Sequence, residues 1–363
     1  MGVSMKHEFL TGIGIAGILF AATDALARTG YSKVCEGCHS AQFENKYIHY
    51  PANGGLCDGC HEVKPAHFKG GDKQYVRTDR SQVTCYRCHE RKDTKPNVHA
   101  ALAMGDDSCM TCHDPHGAKN PYLFREEISA LCLGCHDLST NGVSKHGPVT
   151  SGLACVQCHD GHGSNQKKLL TKEPRALCLN CHDRPVKSAS GRVIPDMKER
   201  TEKMASVHMP AADACSECHL PHASAFPKLL NANFPSKDYN KYFAGDDQTP
   251  NTYALCFQCH AVSMMTPEIV MDGNETKFRS DRVENGKVTR VNLHYLHITN
   301  AGATTGPAFG RSCRVCHDPH GAPQDRLIRA AFSSNAPLKF EATPNGGTCA
   351  LSCHGPESYE RAK

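Results

Sequence analysis

Short helices and irregular loops, packed around covalently attached groups instead of a side-chain core, are what this 363-residue sequence predicts. Three observations lead there. All 22 cysteines fall into eleven pairs, each followed at once by a histidine. Leu, Ile, Val and Phe together number 63 of 363 residues, too few for an ordinary packed core. The 21 prolines and 30 glycines recur too often for long helices.

The cysteine pairs come first because they set the chemistry. Ten read C-x-x-C-H: Cys35 and Cys38 with His39, Cys57 and Cys60 with His61, Cys85 and Cys88 with His89, Cys109 and Cys112 with His113, and Cys132 and Cys135 with His136. The series continues with Cys155 and Cys158 before His159, Cys178 and Cys181 before His182, Cys215 and Cys218 before His219, Cys256 and Cys259 before His260, and Cys313 and Cys316 before His317. The eleventh, Cys349-Ala-Leu-Ser-Cys353-His354, has one extra spacer, and no cysteine is left over. C-x-x-C-H is the attachment signature of c-type haem. Two thiols one helical turn apart add to the two vinyl groups of one haem edge, and the next residue brings its imidazole under the iron as proximal ligand. Zinc ribbons and thioredoxin-like pairs also use C-x-x-C. Eleven pairs with the same trailing histidine argue against both. The cofactor expected is haem c, about eleven copies, and the macrocycles replace the missing core. The apoprotein should then be largely unfolded.

At the N-terminus, Lys6 precedes a short apolar run from Leu10 to Ala22, and Ala25-Leu26-Ala27 offers an A-x-A cleavage site. This layout predicts a signal peptide over 1–27 and one multihaem domain over 28–363, exported to the periplasm, the outer membrane or beyond. Without the leader's Lys6, Glu8 and Asp24, the formal charge of +4 becomes about +5. Haem propionates reverse that sign, and many Lys and Arg residues are expected to serve them. No aromatic-plus-basic pattern points to nucleic acid.

A repeat organises the chain after residue 45. Each unit has a free histidine, a C-x-x-C-H with another histidine shortly after, then a second C-x-x-C-H. The units run at about 49–89, 99–136, 146–182, 208–260 and 294–354, preceded by a leading motif at 35–39. The later units carry insertions. One contains Asn285-Gly286 between alternating apolar flanks and predicts a β-hairpin near 278–291. The Asp-Pro-His-Gly stretches are expected as turns that end short helices.

Of the 23 histidines, eleven are proximal and His7 lies in the leader. Eleven remain as distal candidates: His49, His67, His99, His116, His146, His162, His208, His222, His294, His297 and His320. Equal numbers of haems and spare histidines predict two histidines on every iron. His116, three residues after proximal His113, is expected to serve a neighbouring haem. His294 and His297 are one turn apart; one is required by the repeat, and the other is expected at the haem of Cys35 or Cys349. Met104, Met204, Met209, Met264 and Met265 are the alternative distal ligands, with packing as their other role.

The repeated Cys-His-Asp-Pro-His-Gly at 112–117 and 316–321, its variants at 158–163 and 218–223, and the paired Leu-Cys-x-x-Cys-His motifs resemble the doubled-C-x-x-C-H multihaem cytochromes. The dense motif spacing is similar to that of the decahaem electron conduits of metal-reducing bacteria. The resemblance covers about residues 35–354. It implies a multihaem cytochrome c fold with an elongated haem chain, redox partner proteins such as other cytochromes, and an outer-membrane β-barrel porin around the conduit. Eleven motifs, the C-x3-C-H terminus and the long C-terminal insertions depart from that family, and bulky insertions would have to lie outside a barrel. Irons closed by two histidines predict electron transfer without catalytic residues. The competing readings are a multihaem reductase with one open haem and a self-associating subunit of an extracellular cytochrome filament.

Overall fold

The computed structural model describes residues 35–70, 76–139, 141–241, 251–265, 267–271, 276–299, 309–333, 336–351 and 354–362. The leader expected over 1–27, with His7, and Cys353 lie outside these residues. The chain divides into two compact units, one of residues up to Glu90 with Ala103–Glu126, the other of Arg91–Leu102 with everything from Glu127 onward. The division falls inside the second repeat.

Regular structure is sparse, as expected. The longest helix among the described residues, Pro174–His182, has nine residues. Proline at its first position and the Glu173 carboxylate, which accepts from the Arg175 and Ala176 amides, start it. Elsewhere the C-x-x-C-H sequence closes a single turn. The histidine amide donates to the carbonyl of the first cysteine in the motifs of His39, His89, His113, His136, His159, His219, His260 and His317, at 2.8–3.1 Å. That i to i−4 bond brings both thiols and the imidazole to one side of the turn.

Successive repeats are joined by two-residue antiparallel strands. Tyr47–Ile48 pairs with Gly117–Ala118, Asn97–Val98 with Gly163–Ser164, Ser144–Lys145 with Ala223–Ser224, and Ser206–Val207 with Gly321–Ala322. Each junction places the leading histidine of one repeat beside the turn of the next, which reads Asp-Pro-His-Gly in two of them, Asp160-Gly-His-Gly163 in one and Leu220-Pro-His-Ala223 in one. The approach is close enough to require glycine. A Cβ on Gly117 would lie 2.8 Å from the Tyr47 carbonyl, and one on Gly321 would overlap the Arg200 carbonyl. At the third junction Ala223 stands where the others have glycine. There the facing strand supplies Gly142, whose Cβ would overlap the Ser224 carbonyl. The small residue has moved across the junction.

The hairpin expected near 278–291 is present as Arg279–Glu284 paired with Lys287–Asn292. Asn285 and Gly286, at φ 50° and 76°, form the two-residue turn that matches strand twist. A second antiparallel element was not expected: a four-stranded meander of Ala331–Ser333, Ala336–Thr343, Gly346–Leu351 and His354–Glu360. Its turn signal, Pro344-Asn345-Gly346 after the alternating Leu338 to Thr343, is legible in the sequence. The meander corrects one expectation. The eleventh motif sits on a β-hairpin rather than a helical turn, with Cys349 in one strand and His354 opening the next, opposite Leu351. The extra spacer residue goes with this change of backbone.

Only thirteen apolar side chains are buried among the described residues. The single buried cluster, Tyr253, Met265 and Ile298 with Phe257 and Cys313 against it, lies in the last two repeats, where the insertions are. Gly321→Ala should lower the stability of the haem-loaded protein by about 1–3 kcal/mol through overpacking. Gly152→Ala, where an added Cβ meets nothing within 4 Å, should leave the thermal unfolding midpoint in circular dichroism nearly unchanged.

Candidate haem-binding sites

The histidines come together in twos, each a proximal residue facing a spare one. Ring centroids are 6.3 Å apart for His39 and His67, 5.9 Å for His61 and His116, and 5.9 Å for His89 and His49. In the second compact unit they are 5.9 Å for His136 and His99, 6.1 Å for His159 and His222, and 6.2 Å for His182 and His146. His219 with His320 and His260 with His208 follow at 6.2 and 6.1 Å. Two metal–nitrogen bonds of about 2.0 Å, each extended by ~1.1 Å from nitrogen to ring centre, require about 6.2 Å. The residues therefore fit a metal held between two opposed imidazoles. Among the described residues no cluster of three or more Cys, His, Asp or Glu forms a metal site, which separates this arrangement from a tetrahedral zinc centre.

The last repeat departs from simple pairing. His294 and His297 share the helix Leu293–Thr299. His294 lies within electrostatic reach of His317, and His297 within reach of His354. Burial, followed by His317, pushes His294 down to about 3. Neither histidine is directed to the first motif, because His39 faces His67. His113 and His162 lie one in each compact unit, in the same local settings as their counterparts.

The backbone fixes which ring nitrogen is free. On the proximal side, the Nδ1 atoms of His113, His159, His219 and His317 donate to the carbonyls of Tyr122, Lys168, Lys228 and Arg326, at 2.8–3.0 Å. These four residues sit nine positions after the histidine, at φ 56–63°, and each is followed by a leucine that is also left-handed, at φ 56–61°. Such paired left-handed residues are strained outside glycine. They are held by the neighbouring repeat: the Ser144 hydroxyl accepts from the Leu229 amide, and Ser206 from Leu327. The strain aims a carbonyl at the imidazole and leaves Nε2 for the iron.

On the other side two devices alternate. The leading histidines His49, His99, His146 and His208 donate from Nδ1 to the carbonyls of Pro115, Gly161, Pro221 and Pro319, at 2.8–3.0 Å. The turn histidines His116, His162 and His320 face carboxylates, with Nδ1 3.3–3.6 Å from Asp114, Asp160 and Asp318. Burial pushes the Asp318 carboxyl up, but hydrogen bonds from His320 and the Arg200 guanidinium beside it outweigh that and hold it at about 2. Threonine hydroxyls take the same part at His61, with Thr78 at 2.8 Å, and at His294, with Thr276 at 3.2 Å. The sequence reading missed these supports. Two signals were available: the aspartate repeated after the motif histidine, and a residue-plus-leucine pair nine positions on.

Neighbouring motifs meet through their thiols, in alternation. First cysteines approach at Cys35 and Cys57, Cys85 and Cys109, Cys178 and Cys215, and Cys256 and Cys313. Second cysteines approach at Cys158 and Cys181 and at Cys218 and Cys259, while Cys60 lies within electrostatic reach of Cys85 and then Cys88. Burial, then the neighbouring thiol, pushes Cys57 up to about 11. Among the described residues no disulfide forms. Of the alternative methionines, Met265 is buried against Tyr253 and Ile298, while Met104 and Met209 are 73% exposed.

Tyr122 tests the strained carbonyl. Tyr122→Val, β-branched at positive φ, should leave the holoprotein about 1–3 kcal/mol less stable than Tyr122→Gly, measured by thermal unfolding at equal haem content.

The doubled CXXCH motif family matches residues 99–140, 146–187 and 208–265. Over 109 residues the chain is 26% identical to the multiheme cytochrome MtrA of Shewanella baltica (strain OS185), a stretch covering 28% of this chain and 32% of that protein. The chain thus matches about a third of that relative's length. Opposed imidazoles beside eight of the thiol-pair motifs, with the doubled CXXCH motif matched in three repeats, identify the chain as a multihaem c-type cytochrome that binds haem covalently and is similar to that family.

Proposed function

We propose that the protein carries eleven haems c, each held by two histidines of this one chain, and passes electrons from motif to motif in chain order within each compact unit. The observation that supports this most is the 5.9–6.3 Å separation of opposed imidazole rings. Haem supplies reversible one-electron chemistry when bound.

The residues divide the work in a regular way. Each leading histidine faces the second motif of its own repeat: His49 with His89, His99 with His136, His146 with His182, His208 with His260. Each turn histidine faces the first motif of the preceding repeat: His116 with His61, His222 with His159, His320 with His219. His67 plays this part for the leading motif at His39. The fifth repeat carries two histidines on one helix, Leu293–Thr299, with His294 serving His317 and His297 serving His354. The ligand set then closes within one chain. This favours a conduit over a filament subunit, which would take a histidine from another copy. It also favours transport over a reductase, because two histidines on an iron leave no position for substrate.

The leader-like N-terminus supports export, with periplasmic or outer-membrane placement, other cytochromes as redox partners and a β-barrel porin as the sheath. Among the described residues no helix is long and apolar enough to cross a membrane. The mature protein should show the mass of the chain plus eleven haems and a matching pyridine haemochrome value. His294→Ala should convert one haem in eleven to a high-spin, carbon-monoxide-binding form. An unchanged spectrum at full haem content would remove His294 from the ligand set.

A further inference from the structure

His222 differs from every other turn histidine described. Its turn reads Leu220-Pro221-His222, where the other three read Asp-x-His: Asp114-Pro115-His116, Asp160-Gly161-His162 and Asp318-Pro319-His320. The backbone is the same. The Leu220 amide donates to the Leu229 carbonyl at 2.7 Å, as Asp114 does to Leu123, Asp160 to Leu169 and Asp318 to Leu327 at 2.8–2.9 Å. Leu220 therefore stands where the others place a carboxylate, and it is 40% exposed. Among the described residues the His222 imidazole has no carboxylate or carbonyl acceptor. The nearest charge influencing it, besides His159, is the Lys168 cation.

Ring orientation records the loss independently. The carboxylate-backed pairs are the most parallel, at 2° for His61 with His116 and 9° for His219 with His320. Pairs anchored on a carbonyl lie at 15–17°. His67, whose Nδ1 is buried without a partner, still lies at 17°, with Phe68 edge-on at 5.7 Å. Among the eight described pairs only His159 with His222 is tilted, at 35°. A hydrogen bond from Nδ1–H to a carboxylate fixes the ring and makes the imidazole a stronger donor, which favours the ferric state and lowers the potential. Without it the ring turns and the ferrous state gains.

We propose that Leu220 raises the potential of the haem of Cys155 and Cys158 above that of the haems whose turn histidine faces a carboxylate, making it a resting place for electrons along the chain. This rests on the ligand assignment proposed above. Leu220 is a positioning residue acting through His222, by what it withholds. The neighbouring site strengthens the effect. Cys158 lies against Cys181, and His182, in that adjoining motif, has its Nδ1 buried without a hydrogen-bond partner.

The test is a dithionite potentiometric titration of the haem-loaded protein, with low-temperature EPR of the oxidised form, on wild type, Leu220→Asp and Asp114→Leu. In Leu220→Asp, one electron in eleven should shift to lower potential. One low-spin signal should move toward the near-parallel type. Asp114→Leu should move one electron the opposite way. A Leu220→Asp curve and EPR spectrum superimposable on wild type, at equal haem content, would overturn the proposal. His222→Met separates this from failure of the ligand assignment. The near-infrared band of a methionine–iron bond should appear; its absence would remove His222 as a ligand, and the proposal with it.

Discussion

An iron held between two imidazoles needs their ring centres about 6.2 Å apart, with a chosen nitrogen at the edge of each turned toward the other. That requirement governs nearly every other feature of this structure. The chain is too poor in aliphatic side chains to organise itself around them, and only thirteen are buried among the described residues. What backbone order exists serves the histidines. Two-residue strands bring leading histidines to the next repeat's turn, left-handed residue pairs aim carbonyls, and serine hydroxyls from one repeat brace the strained loop of another.

This makes the repeats interdependent. The turn histidines His116, His222 and His320 belong to one repeat in sequence and face the preceding repeat in space, so those preceding repeats do not close their own sites. The same strand pairing that positions His49 also positions His116, through the bond from the His49 amide to the His116 carbonyl at 2.8 Å. Glycine is needed at these junctions because backbones touch. Ala223 is accommodated where Gly142 has taken over the role on the facing strand. The fifth repeat is built differently, with His294 and His297 on one helix. The start of the preceding hairpin and the end of the meander meet beside it: Tyr359 meets Phe278 edge-on at 5.2 Å, and the Arg361 guanidinium reaches the Lys277 carbonyl at 2.7 Å.

Within such a regular series, departures carry the information. Leu220 is one missing aspartate in a turn whose backbone is otherwise unchanged, and the ring it should anchor is the most tilted of those paired. Asp318 is the opposite extreme, a carboxylate at 14% exposure held ionised by Arg200. Two sites built on the same backbone are thus supported in different ways, and tuning by such outer contacts needs no change in ligand.

The sequence by itself determined the class and the inventory. Covalent attachment is local, so Cys-x-x-Cys-His is complete within one turn, and counting 22 cysteines against 23 histidines gave the candidate attachment motifs and candidate ligands. The Asn285-Gly286 hairpin was legible for the same reason, since a two-residue turn carries its own signal. Only the tertiary structure decided which histidine faces which. His116 and His61 are 55 positions apart, and His320 and His219 are 101 apart; nothing in local spacing encodes such partners. Placing His294 near His317 and His297 near His354 likewise took the folded chain, because the two lie one turn apart on one helix and spacing alone does not tell their surroundings apart. The meander around Cys349 escaped notice because the motif suggested a helical turn, and the strands beside it overrode that local preference through pairing.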